Sequence, residues 1–234
     1  MATHPVVSIP LVQRLPDGPL DIIGDVHGEL DALVRLIARL GGDAETATVQ
    51  RPLVFVGDLI DRGPDSPGVV HLVRRLIEAG VAYSVAGNHE LNLLRDQRKE
   101  GNGWFFGHDD RYLGRPLESV PVPIDDVAPV RSFLASLPLV LERQDLRVVH
   151  ACYDSFLVEH LPAHGDLGLL AEAADETVDV HLRERGLLQA ADEEQSRYGG
   201  FIDPEDMPQR PLPATLAVTL AEQAHGPYRV LTSG

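Results

Sequence analysis

The sequence predicts an α/β fold in which a largely parallel sheet carries helices on its faces. Three short apolar runs, each followed by a glycine and then by polar residues, lie at 21–28, 54–61 and 83–90. Their separation of about 30 residues is the length of a strand–helix–strand unit. Apolar residues recur at helical spacing between the runs. This alternation is typical of a parallel sheet with helical connections.

Composition limits the class of protein. A chain of 234 residues with 44% hydrophobic residues is long enough for one domain with a sizeable core. No run reaches the roughly 18 apolar residues of a membrane span, so we expect no membrane partner. A formal charge of −16 argues against nucleic acid as a partner. The single cysteine, Cys152, and the lack of a signal-peptide pattern predict a cytoplasmic protein.

The first half of the chain contains the predicted parallel sheet. Residues 1–16 carry three prolines among aliphatic residues, which suits an extended arm or an edge strand, and we treat 1–18 as an extension of a domain at 19–234. Helices are expected at 29–40, before two glycines, and at 69–77, before Gly80. The run at 81–85 is the next predicted strand.

The second half has a looser pattern. A segment rich in turn formers at 101–126 is predicted to be a long loop. The further predicted elements are helices at 91–95, 130–137, 167–195 and 214–223, strands at 139–141, 146–149 and 228–234, and a loop at 198–213.

Four short motifs place metal-binding side chains at predicted strand ends. They are GDVHG at 24–28, GDLIDRG at 57–63, GNHE at 87–90 and VVHA at 148–151. Because the carboxyl ends of parallel strands meet at one edge of a sheet, the polar side chains of the first three motifs are expected in a common cleft. Each of these residues alone could equally be a turn residue or a buried histidine, so the prediction depends on the whole set.

In order and spacing, these motifs resemble the calcineurin-like metallophosphoesterase superfamily, and most closely its phosphoprotein phosphatase branch. That branch includes Ser/Thr phosphatases and diadenosine tetraphosphatases. The resemblance implies a β-sandwich flanked by helices. It also implies that Asp25 and His27 hold one metal with Asp58, whereas Asn88 and His150 hold a second, with Asp58 shared between the two.

The same resemblance implies two divalent metal ions, and the mixture of oxygen and nitrogen ligands favours Mn²⁺, with Fe or Zn as alternatives. Two such ions neutralise phosphate charge and generate hydroxide near neutral pH. His89 would act as a general acid paired with Asp61, and Arg62 would bind the phosphoryl oxygens. Candidates for a second phosphate-binding arginine are Arg111, Arg183 and Arg197.

The chain departs from the family pattern near its C-terminal end. The family normally supplies another histidine to the second metal from a late Gly-His motif, which this sequence lacks. We expect either a truncated chain, missing the C-terminal part of the second sheet, or a substitute histidine. The candidate substitutes are His160, His164, His181 and His225.

The leading functional hypothesis is a dinuclear metal-dependent phosphoesterase of the Ser/Thr protein phosphatase type, acting through a metal-activated hydroxide. Its substrate would be a phosphorylated protein or a small phosphoester. The alternative is a dinucleoside polyphosphate hydrolase, since the motifs do not separate the two. A third hypothesis, from another class, is a catalytically weak module that binds phosphoproteins.

Overall fold

The computed structural model describes residues 8–197, 213–225 and 227–233. The strands are β1 (Ile9–Pro10), β2 (Val12–Arg14), β3 (Asp21–Ile23), β4 (Leu53–Phe55), β5 (Ala82–Ser84), β6 (Arg111–Tyr112), β7 (Arg115–Pro116), β8 (Val140–Arg143), β9 (Leu146–Val148) and β10 (His164–Gly165). The helices are α1 (Leu30–Arg39), α2 (Ser66–Glu78), α3 (Asn88–Leu94), α4 (Gly103–Phe106), α5 (Val127–Leu134), α6 (Ser155–His160), α7 (Leu167–Glu184), α8 (Leu187–Arg197), α9 (Pro213–His225) and α10 (Pro227–Ser233).

A parallel sheet in the order β3-β4-β5 confirms the predicted alternation of strands and helices. The central strand β4 is buried along its whole length, as expected of a strand that is covered on both faces. Helix α1 follows β3 and helix α2 follows β4. The carboxyl ends of all three strands therefore point to the same edge.

A second sheet, in the order β2-β8-β9, lies behind the first. Strand β2 runs parallel to β8, and β8 runs antiparallel to β9. A separate apolar cluster joins the two sheets, and its buried members are Leu15, Val54, Val85, Leu141 and Val148. The arrangement agrees with the predicted sandwich flanked by helices.

The N-terminal segment supplies edge strands, as its prolines predicted. Strand β1 pairs with β10 in antiparallel register, and β2 forms one edge of the second sheet. Residues 1–7 of the predicted extension lie outside the described residues.

The segment 101–126, predicted as an irregular loop, contains the short helix α4, the hairpin β6–β7 and a 3-10 turn at Ile124–Asp126. The Asp110 carboxylate organises it, because it accepts hydrogen bonds from the backbone N–H groups of Gly101 (2.8 Å) and Gly103 (3.0 Å). A side chain that bonds to backbone groups seven to nine residues away leaves no periodic signal in the sequence.

The predicted helix at 167–195 is two helices, α7 and α8. Gly186 lies between them with φ of 68°, a left-handed conformation that ends a helix readily. Helix α9 confirms the helix predicted at 214–223. The predicted loop at 198–213 lies outside the described residues except for Pro213, which begins α9.

The strand predicted at 228–234 is wrong, because residues 228–233 belong to helix α10; Gly234 lies outside the described residues. Tyr228, Leu231 and Thr232 are buried, and their spacing of three and four residues places them on one face of a helix. The backbone N–H groups of Ala151 and Cys152 donate to the carbonyls of Leu231 and Val230, at 2.9 and 3.1 Å. These bonds satisfy carbonyls that have no partner within the last turn of the helix.

Within the described residues, none of the helices combines the length and the apolar character needed to cross a membrane.

Candidate active site

The loops after β3 and β4 are joined by backbone hydrogen bonds. The N–H groups of Val26 and His27 both donate to the Asp58 carbonyl, at 3.0 and 2.9 Å. Four residues in these two loops, His27, Asp58, Asp61 and Arg62, have left-handed φ angles between 45° and 72°. Non-glycine residues rarely adopt this conformation, and clusters of it are typical of functional sites.

Glu90 ties the third strand end to the second, a role that the sequence did not reveal. Its carboxylate is fully buried and accepts hydrogen bonds from the backbone N–H groups of Asp58 (2.9 Å), Leu59 (2.9 Å) and Gly87 (2.7 Å). Burial, followed by the charge of Asp58, raises the pKa of Glu90 to about 7. The only signal available was its place at the end of GNHE.

The Asp58 carboxylate is the centre of the cluster. Its Oδ2 lies 3.4 Å from Nε2 of His150, 3.8 Å from Nε2 of His27 and 3.9 Å from Nε2 of His89. Burial acts to raise the pKa of Asp58, but the hydrogen bond to His150 and the nearby imidazoles hold it below its usual value. Asp25 is half-exposed at the rim, with Oδ2 3.8 Å from Nε2 of His27.

His27 and His150 share an orientation that suits metal ligands. Nδ1 of His27 lies 3.1 Å from the Ile60 carbonyl, and Nδ1 of His150 lies 2.7 Å from the Val56 carbonyl. Because a carbonyl only accepts, Nδ1 carries the hydrogen in both rings. In the neutral ring Nε2 is then the acceptor. In His27 this atom lies 3.1 Å from Nη1 of Arg62 and 3.8 Å from Oδ2 of Asp58, and in His150 it lies 3.4 Å from the same oxygen. A carboxylate facing two such nitrogens is a donor set that fits a divalent cation.

The pKa values of the two rings shift in opposite directions. Burial is the main cause that lowers the pKa of His27, against the opposing effects of the Ile60 carbonyl and Asp58. For His150 burial is outweighed by the hydrogen bond to Asp58, which raises the pKa to about 9. A cation bound to His150 would therefore replace a proton.

His89 has a different partner for Nδ1. That nitrogen lies 2.7 Å from Oδ2 of the fully buried Asp61. Burial alone would lower the pKa of His89, but the hydrogen bond to Asp61 and the charge of Asp58 raise it. Burial raises the pKa of Asp61 itself, against the hydrogen bonds from His89 and from Trp104. The structure thus brings His89 and Asp61 into contact, whereas the role of His89 as a general acid stays a prediction.

Trp104 supports this pair, and sequence reasoning placed it only within a loop. Its indole Nε1 donates to Oδ1 of Asp61 at 2.7 Å, and its side chain is 2% exposed. The backbone N–H of Asp61 donates to the Ser66 hydroxyl at 2.9 Å. Two hydrogen bonds, from Trp104 to the carboxylate and from the Asp61 backbone to Ser66, therefore hold Asp61 in addition to its contact with His89.

Arg62 reaches the cluster from the same loop. Its Nη1 lies 3.1 Å from Nε2 of His27, and the guanidinium carbon lies 5.2 Å from the centre of the Tyr112 ring. Of the other candidate arginines, Arg111 precedes Tyr112 in β6, whereas Arg183 pairs with Asp179 at 3.2 Å along α7. Arg197 ends α8.

Three of the candidate late histidines do not join the cluster. Within the described residues, His27, Asp58 and His89 have ligand atoms within 4.8 Å of one another, and Nε2 of His150 lies 3.4 Å from the same Asp58 carboxylate. His160, His164 and His181 are not members of this group. His160 donates from Nδ1 toward its own helix at the Phe156 carbonyl, 2.7 Å away. Asn88 begins α3 and lines a neighbouring cavity. Nothing is described of the His225 side chain.

Comparison with known proteins agrees with this geometry. The family model of calcineurin-like phosphoesterases matches residues 18–184. An asymmetrical bis(5'-nucleosyl)-tetraphosphatase PrpE from Oceanobacillus iheyensis is 48% identical over 80 residues, 32% of each chain. The enzyme of the same name from Bacillus velezensis is 36% identical over 140 residues, 56% of this chain and 55% of its own. The chain thus spans between a third and somewhat more than half of these two relatives.

A solved structure described as a candidate diadenosine tetraphosphatase is 33% identical, covers 61% of this chain and 55% of its own, and has a TM-score of 0.37. The family match extends over well more than half of the sequence, and its range holds all four motifs and every residue of the cluster. The chain belongs to the calcineurin-like phosphoesterase family.

Proposed function

We propose that the chain hydrolyses dinucleoside polyphosphates, the alternative that the motifs left open beside a Ser/Thr protein phosphatase. The supporting observation is the 36% identity over 140 residues to a protein named asymmetrical bis(5'-nucleosyl)-tetraphosphatase. The leading hypothesis from the sequence, a protein phosphatase, has weaker support, since the two relatives described above carry the tetraphosphatase name.

Calcineurin-like phosphoesterases use divalent metal ions, which supply charge neutralisation and an activated nucleophile for phosphate hydrolysis. In this proposal the ions are held by Asp25, His27, Asp58, Asn88 and His150, and Mn²⁺ is the preferred metal. Of these, His27 and His150 already present Nε2 toward the Asp58 carboxylate. Asn88 is the first residue of α3 and directly precedes His89, and its ligand role rests on the family resemblance.

The chain's own residues provide the remaining chemistry. Arg62 offers two parallel N–H donors to the phosphoryl oxygens, and its 3.1 Å contact with His27 shows that the guanidinium reaches the cluster. His89 donates a proton to the leaving oxygen from Nε2, because Nδ1 is held by Asp61. Trp104 and Ser66 fix Asp61 and so fix the ring of His89.

The test is product analysis with Mn²⁺ and diadenosine tetraphosphate, separated by ion-exchange chromatography. Hydrolysis away from the centre of the phosphate chain gives ATP and AMP, whereas central hydrolysis gives ADP alone. We expect ATP and AMP, at a kcat/KM at least tenfold above that for a phosphoserine peptide. Faster turnover of the peptide, with the dinucleotide untouched, would overturn the proposal in favour of a protein phosphatase.

A further inference from the structure

A cavity of about 250 Å³ lies between α3, α7 and α10. From α3 it is lined by Asn88, Leu91, Asn92 and Arg95, whose spacing of three, four and seven residues places them along one face of the helix. At 1.5 Å per residue the lining extends about 10 Å from Asn88 to Arg95. The cavity thus begins at the residue before His89 and runs away from the Asp58 cluster.

The lining is positively charged, although the chain as a whole carries −16. Its charged residues are the cations Arg95, Lys99 and Arg229 and a single carboxylate, Asp175. Arg229 donates to both oxygens of Asp175, at 2.9 and 3.1 Å, and Arg95 donates to the same carboxylate. Asp175 offsets one of the three positive charges, so the surplus favours an anion.

A hydrogen-bond donor in the cavity lining, Nε of Arg95, also favours an anionic ligand. The Arg95 side chain is only 10% exposed, and its Nε has no hydrogen-bond partner among the described residues. A buried N–H group without a partner loses its hydration without compensation, and a charged donor loses more than a neutral one. Arg95 lines the cavity, so an anion bound there would partly offset the charge of this incompletely paired guanidinium.

We propose that this cavity is an anion subsite that holds a phosphate of the substrate further along the phosphate chain from the one under attack. The inference rests on the proposed function, since a phosphate monoester has no further phosphate to place there. A chain of linked phosphates could enter from the Asp58 cluster past Asn88 and reach Arg95 and Lys99. The subsite would then favour polyphosphate substrates over phosphopeptides.

Lys99 allows a test that does not depend on activity, because it is the single lysine of the sequence. The protein is acylated with an amine-reactive reagent, with and without inorganic tripolyphosphate, and the modification of Lys99 is followed by peptide mass spectrometry. Nα-acetyl-lysine in the same tube reports any effect on the reagent. We expect tripolyphosphate to slow acylation of Lys99 at least fivefold, with no change for the free amine and little effect of sulfate.

The protection must also depend on the cavity wall. In Arg95→Met we expect tripolyphosphate to protect Lys99 less than twofold. An unchanged rate of Lys99 acylation in the wild type, or equal protection in this variant, would overturn the subsite. If Arg95→Met fails to fold, kinetics on a milder pair of variants decide the matter.

Lys99→Met and Arg98→Met form that pair. They remove one positive charge each from adjacent positions, but Arg98 faces the Phe106 ring and does not line the cavity. We expect Lys99→Met to raise the KM for diadenosine tetraphosphate about tenfold, the effect of one charge-assisted hydrogen bond. Its KM for p-nitrophenyl phosphate should not change, and Arg98→Met should alter neither. Equal effects of the two variants would contradict the subsite.

The two proposals fail separately. A wild-type protein that does not hydrolyse diadenosine tetraphosphate would refute the proposed function, while protection of Lys99 would still decide whether the cavity binds anions. Normal hydrolysis with unprotected Lys99 and an unchanged KM in Lys99→Met would refute the subsite alone.

Discussion

The imidazoles around Asp58 fall into two regions that differ in the partner of Nδ1. On one side, Nδ1 of His27 and His150 donates to backbone carbonyls; on the other, Nδ1 of His89 faces the carboxylate of Asp61. All three present Nε2 to Asp58 over similar distances, between 3.4 and 3.9 Å. In the proposed assignment of His27 and His150 as ligands and His89 as the acid, the distance to Asp58 does not separate the two roles, whereas the partner of Nδ1 does.

The reason is electrostatic. A neutral carbonyl fixes the tautomer and leaves the ring free to give up its proton to a cation. A buried carboxylate favours the imidazolium form, which is what a proton donor needs. The high pKa of His150 comes from Asp58, a group that a metal would itself engage, whereas the pKa of His89 is raised first by Asp61.

The largest expected effect comes from removing the carboxylate that both regions share. Asp58→Asn should abolish metal retention and hydrolysis, because an amide offers no negative charge to a cation between the imidazoles. Metal is measured by mass spectrometry after gel filtration. Asp25→Asn, which changes a half-exposed carboxylate, should lose less metal than Asp58→Asn. Wild-type metal content in Asp58→Asn would remove this residue from the centre of the site.

His89→Asn should separate chemistry from binding. We expect kcat to fall roughly 10²- to 10⁴-fold on a phosphoserine peptide, the usual contribution of a positioned proton donor. The loss should be smaller on p-nitrophenyl phosphate and on diadenosine tetraphosphate, because nitrophenolate and a nucleotide leave as stabilised anions. Steady-state kinetics on the three substrates provide the comparison, and equal losses on all of them would argue against an acid.

Arg62→Ala should weaken phosphate binding by about 1.5–3 kcal/mol, the contribution of a charge-assisted hydrogen bond. The measurement is the inhibition constant of inorganic phosphate. Arg74→Ala is a matched control, because Arg74 pairs with Glu78 on the exposed surface of α2. If phosphate inhibits the Arg62 variant as strongly as the wild type, the guanidinium does not contact the phosphoryl group.

Trp104→Phe should give the smallest effect of this series. It removes the N–H donor at 2.7 Å from Asp61 but keeps an aromatic ring in the pocket. We expect kcat on the phosphoserine peptide to fall about 2- to 10-fold, the effect of one neutral hydrogen bond. Metal content should stay constant. A metal loss in this variant would mean that Trp104 supports the whole site and not only the acid.

The parts of the molecule that sequence predicted best are those in which a local pattern coincides with position in the sheet. The apolar run before each glycine predicted β3, β4 and β5, and their shared edge predicted that Asp58 and His89 would meet. The sequence did not predict contacts between residues that are far apart in the chain. Trp104 lies 43 residues from Asp61 in the chain, and nothing near Trp104 indicates that its indole would reach that carboxylate.

The C-terminal region shows the opposite case. The run at 228–234 has too few residues to distinguish the period of a strand from that of a helix. Packing of its buried residues against α3 and α7 stabilises the helix α10 instead. Glu90 illustrates a third limit. Its hydrogen bonds to backbone groups of the preceding loop depend on how two strand ends pack, which residue types alone do not specify.

The most direct test of the contrast around Asp58 is the Mn²⁺ affinity of three matched variants, His27→Asn, His150→Asn and His89→Asn, titrated by calorimetry and checked by mass spectrometry. We predict that the first two bind Mn²⁺ at least tenfold more weakly than the wild type, whereas His89→Asn stays within about twofold of it. A loss of Mn²⁺ in His89→Asn as large as that in His27→Asn would contradict the distinction between ligand and acid.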